Sequence, residues 1–171
     1  MLKLTGAAAI LLSAVLAACG LLRDERERLD GIAELRSALE RLRREICERM
    51  SPLPEIAAGI ASAQRDGCAA GFFRALSARL PMLGEAELTS IWTEAAAETL
   101  APLGDESVRA VQSLAEQIGG SDAAVLSKAA EECVSVLAGA ETRGRERLAE
   151  RARLTLGAAL CAGAFAVIML V

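Results

Sequence analysis

Over residues 23–49, apolar positions fall at Leu29, Ile32, Leu35, Leu39, Leu42 and Ile46, with charged residues filling the gaps. Spacings of three and four place one narrow stripe on a helix whose other faces are ion-paired and wet. Ser51-Pro52 interrupts this pattern, with Ser51 as a helix N-cap and Pro52 at the first helical position. Leu53, Ile56, Ala57 and Ile60 then form the inner face of a short second helix that stops near Gly67. A third helix carries Phe72, Phe73, Leu76 and Leu80 and is closed by Pro81. A fourth carries Leu88, Ile91, Trp92, Ala95 and Ala96, with Thr89 or Ser90 as its cap. Asp105 caps a fifth that aligns Val108, Val111, Leu114 and Ile118 and ends at Gly119-Gly120. Ser121 or Asp122 caps a long sixth helix with a stripe through Val125, Ala129, Cys133, Val136 and Ala140. No segment alternates with period two or is rich in β-branched residues, so the chain reads as all-α.

The ends follow a different pattern. Residues 4–22 form a run of 19 without charge, and residues 154–171 form a second charge-free run. A helix of that length just crosses a hydrocarbon core roughly 30 Å thick. Ala159 and Gly163 sit at small-xxx-small spacing, which lets helices approach closely in lipid. The expected organisation is an N-terminal transmembrane helix over 1–22, a helical domain over 23–153 and a C-terminal transmembrane helix over 154–171. The domain would be a bundle of about six helices.

Composition agrees with this division. Mean hydropathy is +0.35 while a quarter of the 171 residues are charged. The 131 residues between the two runs hold 41 of the 42 charged side chains, with Lys3 the exception. Aliphatic content this high excludes an intrinsically disordered chain.

Charge also gives direction. Arg23, Arg26 and Arg28 follow the first run, and Arg143, Arg145, Arg147, Arg151 and Arg153 precede the second. The positive-inside rule therefore puts residues 23–153 in the cytoplasm and both termini outside. A competing signal is Leu16-Ala17-Ala18-Cys19, small residues before a cysteine after an apolar run. In that alternative Cys19 is a lipoprotein's acyl anchor and the helical domain is extracytoplasmic. Residues 23–53 are neutral overall, 54–142 carry net −8 and 143–153 carry net +3. The basic stretch suits anionic headgroups, whereas the acidic lobe repels nucleic acid and suits a basic protein partner.

Candidate chemistry is sparse. The chain has no His, no Tyr and no Asn, so a Ser-His-Asp triad, a Cys-His pair and His-ligated metal are ruled out. Phe72, Phe73, Phe165 and Trp92 are its only aromatics, too few for a base-stacking surface. The five cysteines, Cys19, Cys47, Cys68, Cys133 and Cys161, form no C-x-x-C and are odd in number. They read as small hydrophobes rather than as a disulfide framework or zinc site. The acid pairs Glu131-Glu132 and Glu85/Glu87 are one and two residues apart, and such neighbours do not share a helix face. No enzyme, cofactor, metal or small-molecule substrate is expected.

The chain resembles the stage III sporulation protein AB family. The resemblance rests on Leu2-Lys3-Leu4-Thr5-Gly6-Ala7, on Leu35-Arg36-Ser37-Ala38-Leu39 with Leu42 and Glu45-Ile46, and on Pro52-Leu53-Pro54-Glu55. Trp92, Gly119-Gly120-Ser121-Asp122 and the arginine-rich helix entering a Gly-containing tail complete it. That family is similar to the cytoplasmic helical domain of type II secretion and type IV pilus inner-membrane platform proteins. The resemblance implies a component of the mother-cell membrane in the mother cell–forespore channel, docking a secretion-type ATPase and other channel subunits. It singles out Pro52, Pro54, Glu55, Trp92, Gly119, Ser121 and Asp122 as candidate interaction residues. Each also has a structural reading. The prolines and Glu55 suit a helix start, Gly119 a C-cap, Ser121 and Asp122 an N-cap, and Trp92 a core.

Overall fold

Alanine-rich sequence with few β-branched residues folds, among the described residues, into six α-helices. In the computed structural model the described residues are 2–49, 51–64, 66–84, 86–118 and 123–168; side chains are described from Gly20 onward, except Leu21, 118, 123–124 and most positions after 155. The helices are α1 (Leu2–Arg49), α2 (Leu53–Ala63), α3 (Cys68–Arg79), α4 (Leu88–Leu100), α5 (Asp105–Ile118) and α6 (Ala123–Ile168). Short 3-10 turns, Leu80–Met82 and Ala101–Leu103, follow α3 and α4. Each of these turns contains a proline, which lacks the N–H needed to continue an α-helix. Among the described residues there is no β-strand, only an isolated bridge between Leu83 and Ala86. The all-α expectation holds.

The chain divides into two compact units. One comprises Arg28–Thr142; the other comprises Met1–Glu27 with Arg143–Val171. In the first, α2, α3, α4 and α5 pack each against the next. The α1 stripe is buried as expected at Leu29, Ile32, Leu35, Leu39 and Leu42, while Ile46 is half-buried. Phe72, Phe73 and Trp92 form the bulky centre, with rings edge-on at 5.0 and 5.2 Å between centroids. Ala57, Ala69, Ala70, Ala95, Ala96, Ala115, Ala129 and Ala130 fill the rest, which brings backbones close. At the tightest approach, a Cβ added to Gly31 of α1 would lie 2.7 Å from Leu103. Gly104, at φ +94°, then redirects the chain into α5 while Arg28 donates to the Leu103 carbonyl at 3.0 Å.

Polar contacts seat the middle of α1 within the first unit. Arg36 lies 3.4 Å from Glu141 of α6, and Arg43 donates to the Ser127 hydroxyl at 3.4 Å. Gln64, just past α2, donates to the Glu34 carbonyl at 3.2 Å. In the second unit, Arg23 pairs with Glu27 at 2.8 Å, and Leu154 is 67% exposed.

Several local expectations are corrected. Ser51 is not the N-cap of α2: Pro52 is, because the Glu55 and Ile56 N–H groups both donate to the Pro52 carbonyl. That helix ends at Ala63, four residues before Gly67. The N-cap of α4 is Glu87, so Thr89 and Ser90 lie inside its first turn, where Ser90 reaches Glu94 at 3.3 Å. Asp105 is the first residue of α5 rather than its cap, since Ser107 and Val108 donate to the Gly104 carbonyl. Its carboxylate still suits the helix dipole from there.

The α6 stripe is also corrected. Val125 and Val136 are 47% and 41% exposed, and the buried line runs through Ala129, Ala130, Cys133 and Leu137. A step of four from Cys133 stays on the core face, whereas a step of three turns away from it. Similarly, α5 buries Ser107, Ala110, Val111, Leu114 and Ala115, with Val108 only half-buried.

The transmembrane helices expected over 1–22 and 154–171 find no support in the fold. Among the described residues, no helix is long and apolar enough to cross a membrane. Most side chains of those two runs, Cys19 and Cys161 included, lie outside the described residues.

Candidate functional site

The corner between α1 and α2 carries the Pro52-Leu53-Pro54-Glu55 motif. Pro52, at φ −61° and ψ 137°, is extended and aims the chain into the helix. Its fixed φ makes that entry inexpensive, and neither it nor Pro54 sacrifices an intrahelical donor in the first turn. Pro52, Pro54 and Glu55 are exposed, whereas the next two residues, Ile56 and Ala57, are buried. Glu55 stands in the first turn, where the helix dipole favours a carboxylate. Beside it opens a cleft of about 170 Å³ lined by Arg41, Glu45, Ser51, Glu55, Ile56 and Gly59. Glu45 also pairs with Arg49 one turn on, at 3.3 Å. This is a small polar recess lined by one acid from each helix and by Arg41.

Trp92 occupies a different environment. It is fully buried, edge-on to Phe72, and its indole N–H donates to the Val111 carbonyl of α5 at 2.9 Å. A partner cannot touch it without opening the core, so its role is to tie α4 to α5. Gly119, Ser121 and Asp122 lie outside the described residues. The motif residues are therefore not gathered into one site: three are at the α1–α2 corner and one is in the core.

A second surface feature was missed in the sequence pattern. Pro81, Met82 and Leu83 are all exposed in the turn between α3 and α4, Met82 by 57% and Leu83 by 46%. The available signal was two large apolar residues between Pro81 and Gly84, off the stripe of either flanking helix. An open groove of about 630 Å³ also runs past Asp105, Glu106, Arg109, Ala110, Ser113 and Val136.

Nucleophilic chemistry has little to work with. Cys133 is buried, and loss of hydration pushes its thiol up to about 12, so it stays protonated at neutral pH. Cys68 is half-buried and its pKa is raised too, mainly by burial. Cys47 is exposed. Among the described residues, no three His, Cys, Asp or Glu side chains are grouped as metal ligands.

What remains is an all-helical module with an acidic 54–142 segment, a polar corner cleft and an exposed apolar turn. The chain belongs to the family described as Stage III sporulation protein AB (spore_III_AB), whose model matches residues 3–171. It is also similar to a solved structure titled "Stage III sporulation protein AB (SpoIIIAB)", at 22% identity and a TM-score of 0.65. That match covers 72% of this chain and 97% of the solved one, and at such identity it establishes the fold. No curated protein matches the chain. Family membership gives the chain a sporulation-related role.

Proposed function

We propose that this protein is a membrane-anchored platform of the mother cell–forespore channel, docking a cytoplasmic secretion-type ATPase and other channel subunits. The observation that carries this reading is the division of charge. Two charge-free runs, 4–22 and 154–171, bracket a segment whose 54–142 portion is net −8. Runs of that length suit hydrocarbon, and the arginines beside them suit an inner leaflet. Placed so, the acidic bundle faces the cytoplasm, where a basic protein surface is its electrostatic complement. Family membership over residues 3–171 supports a place in sporulation.

A tagged full-length chain purified from sporulating cells in mild detergent should bring down the ATPase and channel subunits. Consistent failure to recover them, together with a channel that assembles normally without this protein, would overturn the proposal.

A further inference from the structure

Where α6 runs into its charge-free end, cationic and apolar side chains share one exposed row. Arg147, Arg151 and Leu154, at steps of four and three, are all exposed, Leu154 by 67%. Leu148, Ala152 and Thr155, each one position further on, repeat those steps and are half-buried, so they mark the covered side. Arg153 is exposed as well. Among the described residues, the guanidiniums of Arg147, Arg151 and Arg153 have no hydrogen-bond or ion-pair partner, whereas Arg143 and Arg145 are engaged within the protein. The exposed Glu146 and Glu150 stand among them without neutralising the stretch, which is net +3 over 143–153. No charged residue follows Arg153. At this boundary the Thr155 hydroxyl donates to the Arg151 carbonyl at 2.8 Å, so it needs no water.

Guanidiniums without a carboxylate partner suit phosphate, which accepts their paired N–H donors. At 1.5 Å per residue, Arg151 and Arg147 stand about 4.5 and 10.5 Å before Leu154 along the helix. A lipid headgroup layer is roughly 5–8 Å deep on each side of the hydrocarbon. With Leu154 at the hydrocarbon edge, Arg151 is level with the phosphates and Arg147 stands at their outer margin. Arg153 reaches the same level, because side chains on a helix lean toward its N-terminus and long ones snorkel. An acidic protein surface would complement the arginines but gives no reason for an exposed leucine opening a charge-free run. Nucleic acid has the same shortcoming and would also meet the net −8 of residues 54–142. We infer that the Arg147–Arg151–Leu154 row of α6 is a binding site for anionic phospholipid, with its guanidiniums on headgroup phosphates and Leu154 among the acyl chains. The inference rests on the membrane anchoring proposed above and adds a lipid selectivity that anchoring alone does not require.

The test uses the full chain in dodecyl-maltoside micelles holding equal palmitoyl-oleoyl phosphatidylglycerol and phosphatidylcholine, with native mass spectrometry counting the lipids retained. The parent should prefer phosphatidylglycerol by about tenfold. Arg147→Gln with Arg151→Gln should bring the two lipids close to parity, as the loss of two surface arginines predicts. Arg147→Lys with Arg151→Lys should keep most of the preference, and Arg44→Gln, exposed on α1, should leave it unchanged. Circular-dichroism melts matching the parent would show that the variants remain folded. Flotation with phosphatidylcholine vesicles reads anchoring separately. Equal retention of both lipids by the parent, or a preference that survives the double Gln variant, overturns this inference and leaves anchoring standing if the chain still floats. A parent that floats with neither phosphatidylcholine nor phosphatidylglycerol vesicles overturns anchoring and this inference together. Loss of phosphatidylglycerol in millimolar inorganic phosphate, but not in chloride of equal ionic strength, would make the row a bare-anion site and sink the lipid. If the parent shows no lipid preference but binds polyglutamate through these arginines, the occupant is an acidic protein and the inference fails.

Discussion

Trp92 joins packing to polarity in one side chain. Its indole fills the centre against Phe72, and its N–H satisfies the Val111 carbonyl. Trp92→Phe removes both part of the volume and the donor, so it should lower stability by about 1–3 kcal/mol. Urea denaturation followed by far-UV circular dichroism is the suitable measurement, since Trp92 is the sole tryptophan. An unchanged midpoint would mean that the hydrogen bond and the cluster contribute little. The core role of Trp92 was legible because Ile91, Trp92, Ala95 and Ala96 share helical spacing. The exposure of Met82 and Leu83 was not legible: hydropathy ranks both as core residues, and only the turn's backbone bonds hold them outside. Pro52, Pro54 and Glu55 were read correctly as a helix start, displaced by one residue because the Pro52 carbonyl closes the first turn.

At the scale of elements, regular spacing made the helices legible and near-ties made their faces ambiguous. The α1 stripe was unambiguous because charged residues surround it on every other face. On α6, Val136 and Leu137 are both apolar, and hydropathy cannot choose between adjacent positions; packing buries Leu137 and exposes Val136. The caps were misplaced for a related reason, since Ser, Thr and Asp near a boundary each suit several N-terminal positions. Long-range polar contacts carry no local signal at all. Arg36 and Glu141 are far apart in sequence, yet they meet at 3.4 Å, with Glu141 only 13% exposed. The Arg36 Nε has no hydrogen-bond partner despite that proximity, so the interaction is an ion pair without good donor geometry. Arg36 also lies 3.7 Å from Glu40 on its own helix. A double-mutant cycle through Arg36→Ala and Glu141→Ala should give a coupling of about 0.5–1 kcal/mol, near the upper range for partly exposed pairs. A coupling of zero would mean that this ion pair adds nothing to the α1–α6 contact, leaving it to apolar packing and the Arg43–Ser127 hydrogen bond.

For the whole molecule, the proposed membrane anchoring turns on which side of the membrane the acidic bundle would occupy. The positive-inside rule counts Arg23, Arg26, Arg28 and the five arginines at 143–153 on one side against Lys3 on the other. On that rule, the proposed membrane anchoring expects the bundle on the cytoplasmic side. Cys47 is the suitable reporter. It is exposed, whereas Cys133 is buried with its thiol pushed up to about 12 and would label poorly on either side. In a chain whose other four cysteines are replaced by Ala, a membrane-impermeant maleimide should leave Cys47 untouched in intact protoplasts. It should label Cys47 once the membrane is opened. Labelling of intact protoplasts would place the bundle outside, as expected if Cys19 carried a lipid anchor and the first run were a cleaved signal. The same measurement therefore decides both orientation and whether the acidic surface can meet a cytoplasmic partner.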